Sequence, residues 1–195
     1  MPSEIDVTLA PIVEAFEQLK VPFYICGSVA SSTYGEMRAT ADIDVVAQMQ
    51  LEQAGELVAR LGHKYYADED QIRKAITRRS SFNLIHQETF IKVDVFAPKE
   101  RVYDQRALAR RQPERLGSHE DALTAPISTP EDIVLAKLEW FRLGGETSDR
   151  QWRDTLGVLK LQCFNLDFDY MAKWSKEIGV NDLLERAFDE SGLKQ

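Results

Sequence analysis

The sequence lacks most of the signals that announce a function directly. It holds two cysteines and three histidines in 195 residues. Cys26 and Cys163 are far apart, form no CxxC and have no ligand spacing to His63, His86 or His119, so neither a zinc site nor a disulfide framework is expected. Their apolar neighbours make both read as reduced core thiols. No apolar run approaches the ~18 residues a membrane span needs. The P-loop and GxGxxG patterns are both missing, and no GxSxG elbow frames a serine nucleophile. Positive charge is scarce too. With 24 Lys+Arg against 32 Asp+Glu the net charge is −8, which argues against a protein that coats nucleic acid. The opening Met1-Pro2-Ser3-Glu4-Ile5-Asp6 carries acids where a secretory leader carries bases, so a cytoplasmic location is expected.

What remains is an ordinary globular composition, 44% apolar and 29% charged, at the length of one domain. Residues 6–20 have helical apolar spacing. Phe23–Cys26 reads as a buried strand stopped by Gly27, and Ser28 to Tyr34 as a helix with Ser28 near its N-cap. Ile43, Val45 and Val46 mark a second strand. Helices are expected over 50–61 and 68–79, a short strand near 63–66, and a hairpin from runs 82–86 and 90–96. After residue 97 the character changes. Residues 99–111 look helical and 116–127 look like loop with some strand. Thr129-Pro130-Glu131-Asp132 opens a helix to Leu143, Ser148 opens another to about Gln162, and two more follow. The fold class is therefore α/β (α+β). Residues 1–98 form the mixed core and 99–195 a mostly helical part, with a soft boundary between 98 and 128.

The chemistry concentrates in three places. Side chains alternate along a strand, so Asp42 and Asp44 share a face. Asp94 lies in another apolar strand that could pair beside them; Lys92 is not counted on its face. Three converging carboxylates repel one another unless a cation intervenes, and an all-oxygen set suits Mg²⁺. Gly27-Ser28, between a strand and a helix, lets an anion approach backbone amides. On the helix after Thr129, Lys137 sits at roughly 40° on a wheel with Ile133 at zero, the middle of the apolar face. Each residue also has a plainer reading. Asp42 and Asp44 could be solvated edge acids, Ser28 only a cap, Lys137 a snorkelling side chain, and Asp154 a partner of Arg150.

Gly-Ser, a spacer of thirteen residues, Asp-x-Asp and a later apolar-Asp-apolar strand resemble the polymerase-β-type nucleotidyltransferase superfamily. Gly35 to Asp44, with Pro130-Glu131-Asp132 through Lys137 and then Arg153-Asp154, looks more narrowly like the AbiEii-type nucleotidyltransferase toxins. The resemblance spans about residues 20 to 162. It implies a mixed sheet with two acidic strands and C-terminal helices closing over the nucleotide. The implied reaction moves a nucleoside monophosphate from an NTP to an acceptor, with Mg²⁺, two ions when the NTP is bound. In that reading Asp42, Asp44 and Asp94 hold metal, and Asp94 helps activate the acceptor. Gly27 and Ser28 hold phosphates, Lys137 neutralises them, and Asp154 orients Lys137. Arg38 and Thr40 are candidate nucleotide contacts. The acceptor could be tRNA, protein or a small molecule, and an antitoxin partner is implied by the toxin group; DNA and membrane are not expected. If RNA is the acceptor, the basic residues at 73–79 and 101–115 are the first candidates for its backbone. The alternative is a catalytically silent nucleotide-binding or partner-binding protein of the same fold.

Overall fold

The computed structural model describes residues 2–35, 42–117, 119 and 122–193. Helix α1 (Glu4–Gln18) leads into strand β1 (Phe23–Cys26), and α2 (Gly27–Tyr34) follows without a linker. Then come β2 (Asp42–Ala47), α3 (Gln53–Leu61), a short 3-10 turn, β3 (Tyr65–Tyr66), α4 (Glu69–Arg78), β4 (Ser81–His86) and β5 (Lys92–Phe96). The second half holds α5 (Val102–Arg110), β6 (Gln112–Arg115), β7 (Thr124–Ile127), α6 (Pro130–Leu143), α7 (Asp149–Gln162), α8 (Phe168–Glu177) and α9 (Asn181–Ser191).

The seven strands form one mixed sheet in the order β3-β4-β5-β2-β1-β7-β6. β2 runs antiparallel to β1 and parallel to β5, and β7 joins the far side of β1 in parallel. The sheet therefore crosses the 98/99 boundary. Residues 112–115, between the expected helix and the stretch read as loop with some strand, and 124–127, within that stretch, extend it. Their pattern is hard to see because both strands are four residues long and each contains a proline. Proline cannot complete a ladder and is confined to edges and strand ends.

Alternation gives the central strands two faces. Ile43, Val45, Val93 and Val95 are buried almost completely on one side. Asp42, Asp44 and Asp94 project from the other. Helix α6 starts as its sequence dictates: the Thr129 hydroxyl caps the Asp132 amide and proline occupies the first turn. Its N-terminus is tied to the sheet, because the Ser128 amide, just past β7, donates to the Ile25 carbonyl.

Asp6 ties α1 to the β6–β7 connection. It completes a capping box with Ser3, accepts from the Leu123 amide at 2.9 Å and lies 2.7 Å from the His119 ring. Burial works against its charge, but the bonds from Ser3, Leu123 and His119 outweigh that and hold the carboxyl below its usual range. A depressed folded-state pKa contributes stability above the unfolded value of 3.8 and loses it as pH falls through the folded value. Asp6→Asn is therefore expected to unfold at lower denaturant than wild type at pH 7. The gap should close as the pH drops below about 4, read by urea melts at stepped pH.

Candidate active site

The acidic face is assembled by strand register. Asp44 and Asp94 are direct partners in the parallel β2–β5 ladder, and Asp42 partners Lys92. Asp44 is largely enclosed. Its carboxyl is pushed above the usual range by burial, then by the charges of Asp94 and Asp42, with Lys137 and Lys92 working in the opposite sense. Two acids held side by side keep the site negative.

Lys92 does share this face, since residues two apart on a strand project together. Its ammonium lies 2.8 Å from Asp94 Oδ2 and 3.6 Å from Asp42 Oδ1. Asn83, opposite Asp94 on β4, donates its side-chain amide to Asp94 Oδ1. Neither residue stands out in the sequence, because the period-2 pattern shows a face but not which strands are neighbours. Among the described residues, no group of three or more His, Cys, Asp or Glu is placed to hold a metal ion.

Gly27 faces Asp44 across the β1–α2 junction. Its φ is +62°, and a Cβ there would fall 2.7 Å from Asp44 Cγ. Only glycine meets both conditions. Helix α2 begins at Gly27 with Cys26 in the capping position and no side-chain cap. Ser28 is therefore inside the first turn instead of capping it, as its spacing to the helix had implied. Cys26 thus gives the first amides of α2 no side-chain cap, and a helix start is where an anion is received. Cys26 is not a plain core thiol either. It lines the cleft, and burial, then the charge of Asp44, raises its pKa.

Lys137 is 8% exposed and its Nζ donates to Asp154 Oδ2 at 2.9 Å. A buried lysine needs such a partner, and the pair ties α6 to α7. The snorkelling reading does not describe this enclosed side chain, and Asp154 faces Lys137. Arg38 and Thr40 lie outside the described residues.

These groups line one cleft of about 690 Å³ between the acidic sheet face, α2, α6 and α7, a volume typical of small-molecule sites. Gly27, Ser28, Asp42, Asp44, Asp94, Lys137 and Asp154 all border it. Its other wall carries Arg79, Lys99, Tyr103, Glu139 and Trp140, none of which the motif reading singled out. Glu139 receives a two-pronged bond from Arg101, at 2.6 and 3.0 Å, and one from Lys99 at 2.9 Å. The Pro130-Glu131-Asp132 motif serves the framework. Asp132, 2% exposed, accepts from Tyr170 Oη at 2.7 Å and Thr129 Oγ1 at 2.9 Å, while Glu131 accepts from Arg110 and from the Asp167 amide. It clamps α6 to α5 and α8.

None of the histidines borders the cleft: His86 is buried against Tyr65 and Thr89, His119 meets Asp6, and His63 is exposed. Of the arginines at 101–115, Arg106 is exposed and the other four make contacts within the fold. Arg101 and Arg110 pair with cleft and framework acids, and Arg111 and Arg115 donate to the Leu108 and His119 carbonyls.

This architecture has solved counterparts. The chain aligns with the antibiotic-resistance factor ANT(2'')-Ia crystallised with adenylyl-2''-tobramycin, over 90% of this chain and 97% of that one, at TM-score 0.54 and 15% identity. The fold is that of the nucleotidyltransferases. The solution structure of ANT(2'')-Ia aligns over 93% of this chain and 97% of that one at TM-score 0.52 and 14% identity. An antigenic nucleotidyltransferase-like protein from Paracoccidioides brasiliensis aligns over 95% and 92% at TM-score 0.50, again with 14% identity. No family model and no curated protein matches the chain. No described helix is long and apolar enough to cross a membrane.

Two substitutions separate shape from charge at this site. Gly27→Ala is expected to lose about 1–2 kcal/mol from its left-handed backbone alone and to push the Asp44 carboxylate aside, lowering the thermal midpoint. Asp44→Asn should do the reverse in metal-free protein at pH 7. A raised folded-state pKa means the ionised carboxylate costs stability above the unfolded value, so removing it should raise the midpoint in calorimetry.

Proposed function

We propose that the protein transfers a nucleoside monophosphate from an NTP to an acceptor, with Mg²⁺ taken up at the acidic face of Asp42, Asp44 and Asp94. The observation that carries this reading is the in-register pair Asp44–Asp94 lining one cleft together with Gly27 and Ser28 at the start of α2 and with Lys137. The donor set fits a hard divalent cation. It is all oxygen, and since among the described residues no three carboxylates are placed to hold an ion by themselves, Mg²⁺ would take one or two of them together with the phosphates of the NTP.

In this reading the Gly27 and Ser28 amides and the Ser28 hydroxyl hold phosphate oxygens at the positive end of α2. Lys137, oriented by Asp154, sets its charge against the pyrophosphate leaving group, where negative charge grows as the bond breaks. Asp94 stands at the acceptor side and takes the proton of the attacking hydroxyl or amine. The new bond joins the acceptor to the α-phosphorus, and the bond to pyrophosphate breaks. The metal, when bound, polarises the phosphate and lowers the acceptor's pKa. The β1–α2 junction and α6 hold these groups in place beforehand, which removes much of the entropic barrier.

The acceptor we favour is a small hydroxylated or aminated molecule. A cleft of about 690 Å³ suits it, and two of the arginines at 101–115, Arg101 and Arg110, are paired with acids of the fold. Use of an NTP puts the reaction in the cytoplasm. Toxicity and an antitoxin partner rest on the motif resemblance, and growth arrest on expression tests them. One observation favours the silent-binder reading: both oxygens of Asp94 already have protein partners, Asn83 and Lys92.

Incubation with each α-labelled NTP, Mg²⁺ and pooled small-molecule, tRNA and protein acceptors decides between these readings. Label should transfer to acceptor with wild type and fall at least about a hundredfold, the scale of losing one charge-stabilising group, with Asp44→Ala or Lys137→Met. Equal incorporation by wild type and Asp44→Ala would sink the assignment. A nucleotide-dependent thermal shift without product supports the binder.

A further inference from the structure

The acidic face carries a cation of its own. Lys92 precedes Asp94 by two residues on β5 and pairs with Asp42 in the β2–β5 register, so its side chain reaches both acids. Its Nζ is 2.8 Å from Asp94 Oδ2 and 3.6 Å from Asp42 Oδ1. The second oxygen of Asp94 accepts from Asn83. Asn83 thus fixes the carboxylate, and the ammonium bridges the Asp94 oxygen that remains to Asp42. The Lys92 side chain is 40% exposed. A flexible four-carbon stem with that much solvent contact can withdraw without unpacking anything.

We propose that Lys92 is a resident competitor for the divalent cation. It neutralises Asp42 and Asp94 in the metal-free protein and swings out when a metal takes their oxygens. This rests on the reading of the three aspartates as the metal site. The competition lowers affinity for the bare ion, because binding must first break an existing pair. A metal arriving with an NTP brings additional phosphate contacts at α2 and Lys137, so it displaces the lysine more readily. Loading of the site is thereby biased toward the moment when substrate is present. Lys92 is a positioning residue in this account, since it holds ligands and touches no reacting atom.

Mn²⁺ titration of the full chain, with free Mn²⁺ read by electron paramagnetic resonance, tests this. Lys92→Gln and Lys92→Met are expected to tighten Mn²⁺ binding about two- to fivefold, the range for a partly exposed ion pair, and to melt earlier than wild type until Mn²⁺ is added. Lys64→Gln, which removes the same charge from an exposed position, is expected to change nothing. Unchanged or weaker binding in both Lys92 variants, while Asp44→Asn still abolishes it, overturns the competitor and leaves the metal reading standing. An equal gain in Lys64→Gln also overturns it, since net charge alone would then account for the effect. Binding indifferent to Asp44→Asn overturns the metal reading and this proposal with it.

Discussion

Two carboxylates on adjacent parallel strands, held at the same register position, repel each other, and much of this structure answers that repulsion. Asp44 cannot retreat, because Gly27 packs against its carboxylate and the Ile43 and Val45 side chains beside it are sealed into the core. Asp94 cannot turn away without abandoning Asn83. Positive charge is therefore brought to the pair: Lys92 from within the sheet, Lys137 from α6, and the dipole of α2 from below. Removing both acids would relieve strain and leave a cleft with nothing to do. The acids destabilise the metal-free fold locally, which is typical of functional sites.

Lys137 shows how the two halves of the chain depend on each other. Its charge acts on Asp44 in the sheet, yet its position comes from Asp154 on α7 and from the clamp of Glu131 and Asp132 to α5 and α8. A buried ion pair of this kind contributes little net stability against well-packed apolar residues. Its value is that it sets one orientation for an ammonium that would otherwise sample many rotamers.

Much of the fold and half of the site were legible in the sequence, for identifiable reasons. The α6 start was readable because Thr129-Pro130-Glu131-Asp132 encodes a cap locally, and the Asp42/Asp44 face because alternation is a local rule. The partnership of Lys137 and Asp154 was readable only through motif resemblance, since it joins two helices. The in-register placement of Asp94, the role of Asn83 and the intrusion of Lys92 were not readable. Strand adjacency is a tertiary fact, and a lysine two residues from an aspartate is unremarkable until the neighbouring strand supplies Asp42. β6 and β7 escaped because short proline-bearing strands have too few residues to show a period. Ser28 was misplaced by one position because the helix begins on glycine, with a cysteine in the capping position, which matches no common cap.

The junction of β7 with α6 has a mechanical consequence. β7 pairs in parallel with β1, and the Ser128 amide then binds the Ile25 carbonyl before the chain turns into α6 at Thr129. The helix that carries Lys137 is thus rooted in the same strand, β1, whose end carries Gly27. At its other end α6 runs into Gly144-Gly145, which lie in a turn on the surface. That end is held as well: Arg142, in the last turn of α6, donates to the Gly179 carbonyl and pairs with Asp182 in the first turn of α9. Lys137 therefore rides on a helix fastened at both ends, and the span between its ammonium and the start of α2 is set by the framework of strands and helices, with Asp154 fixing the side chain itself.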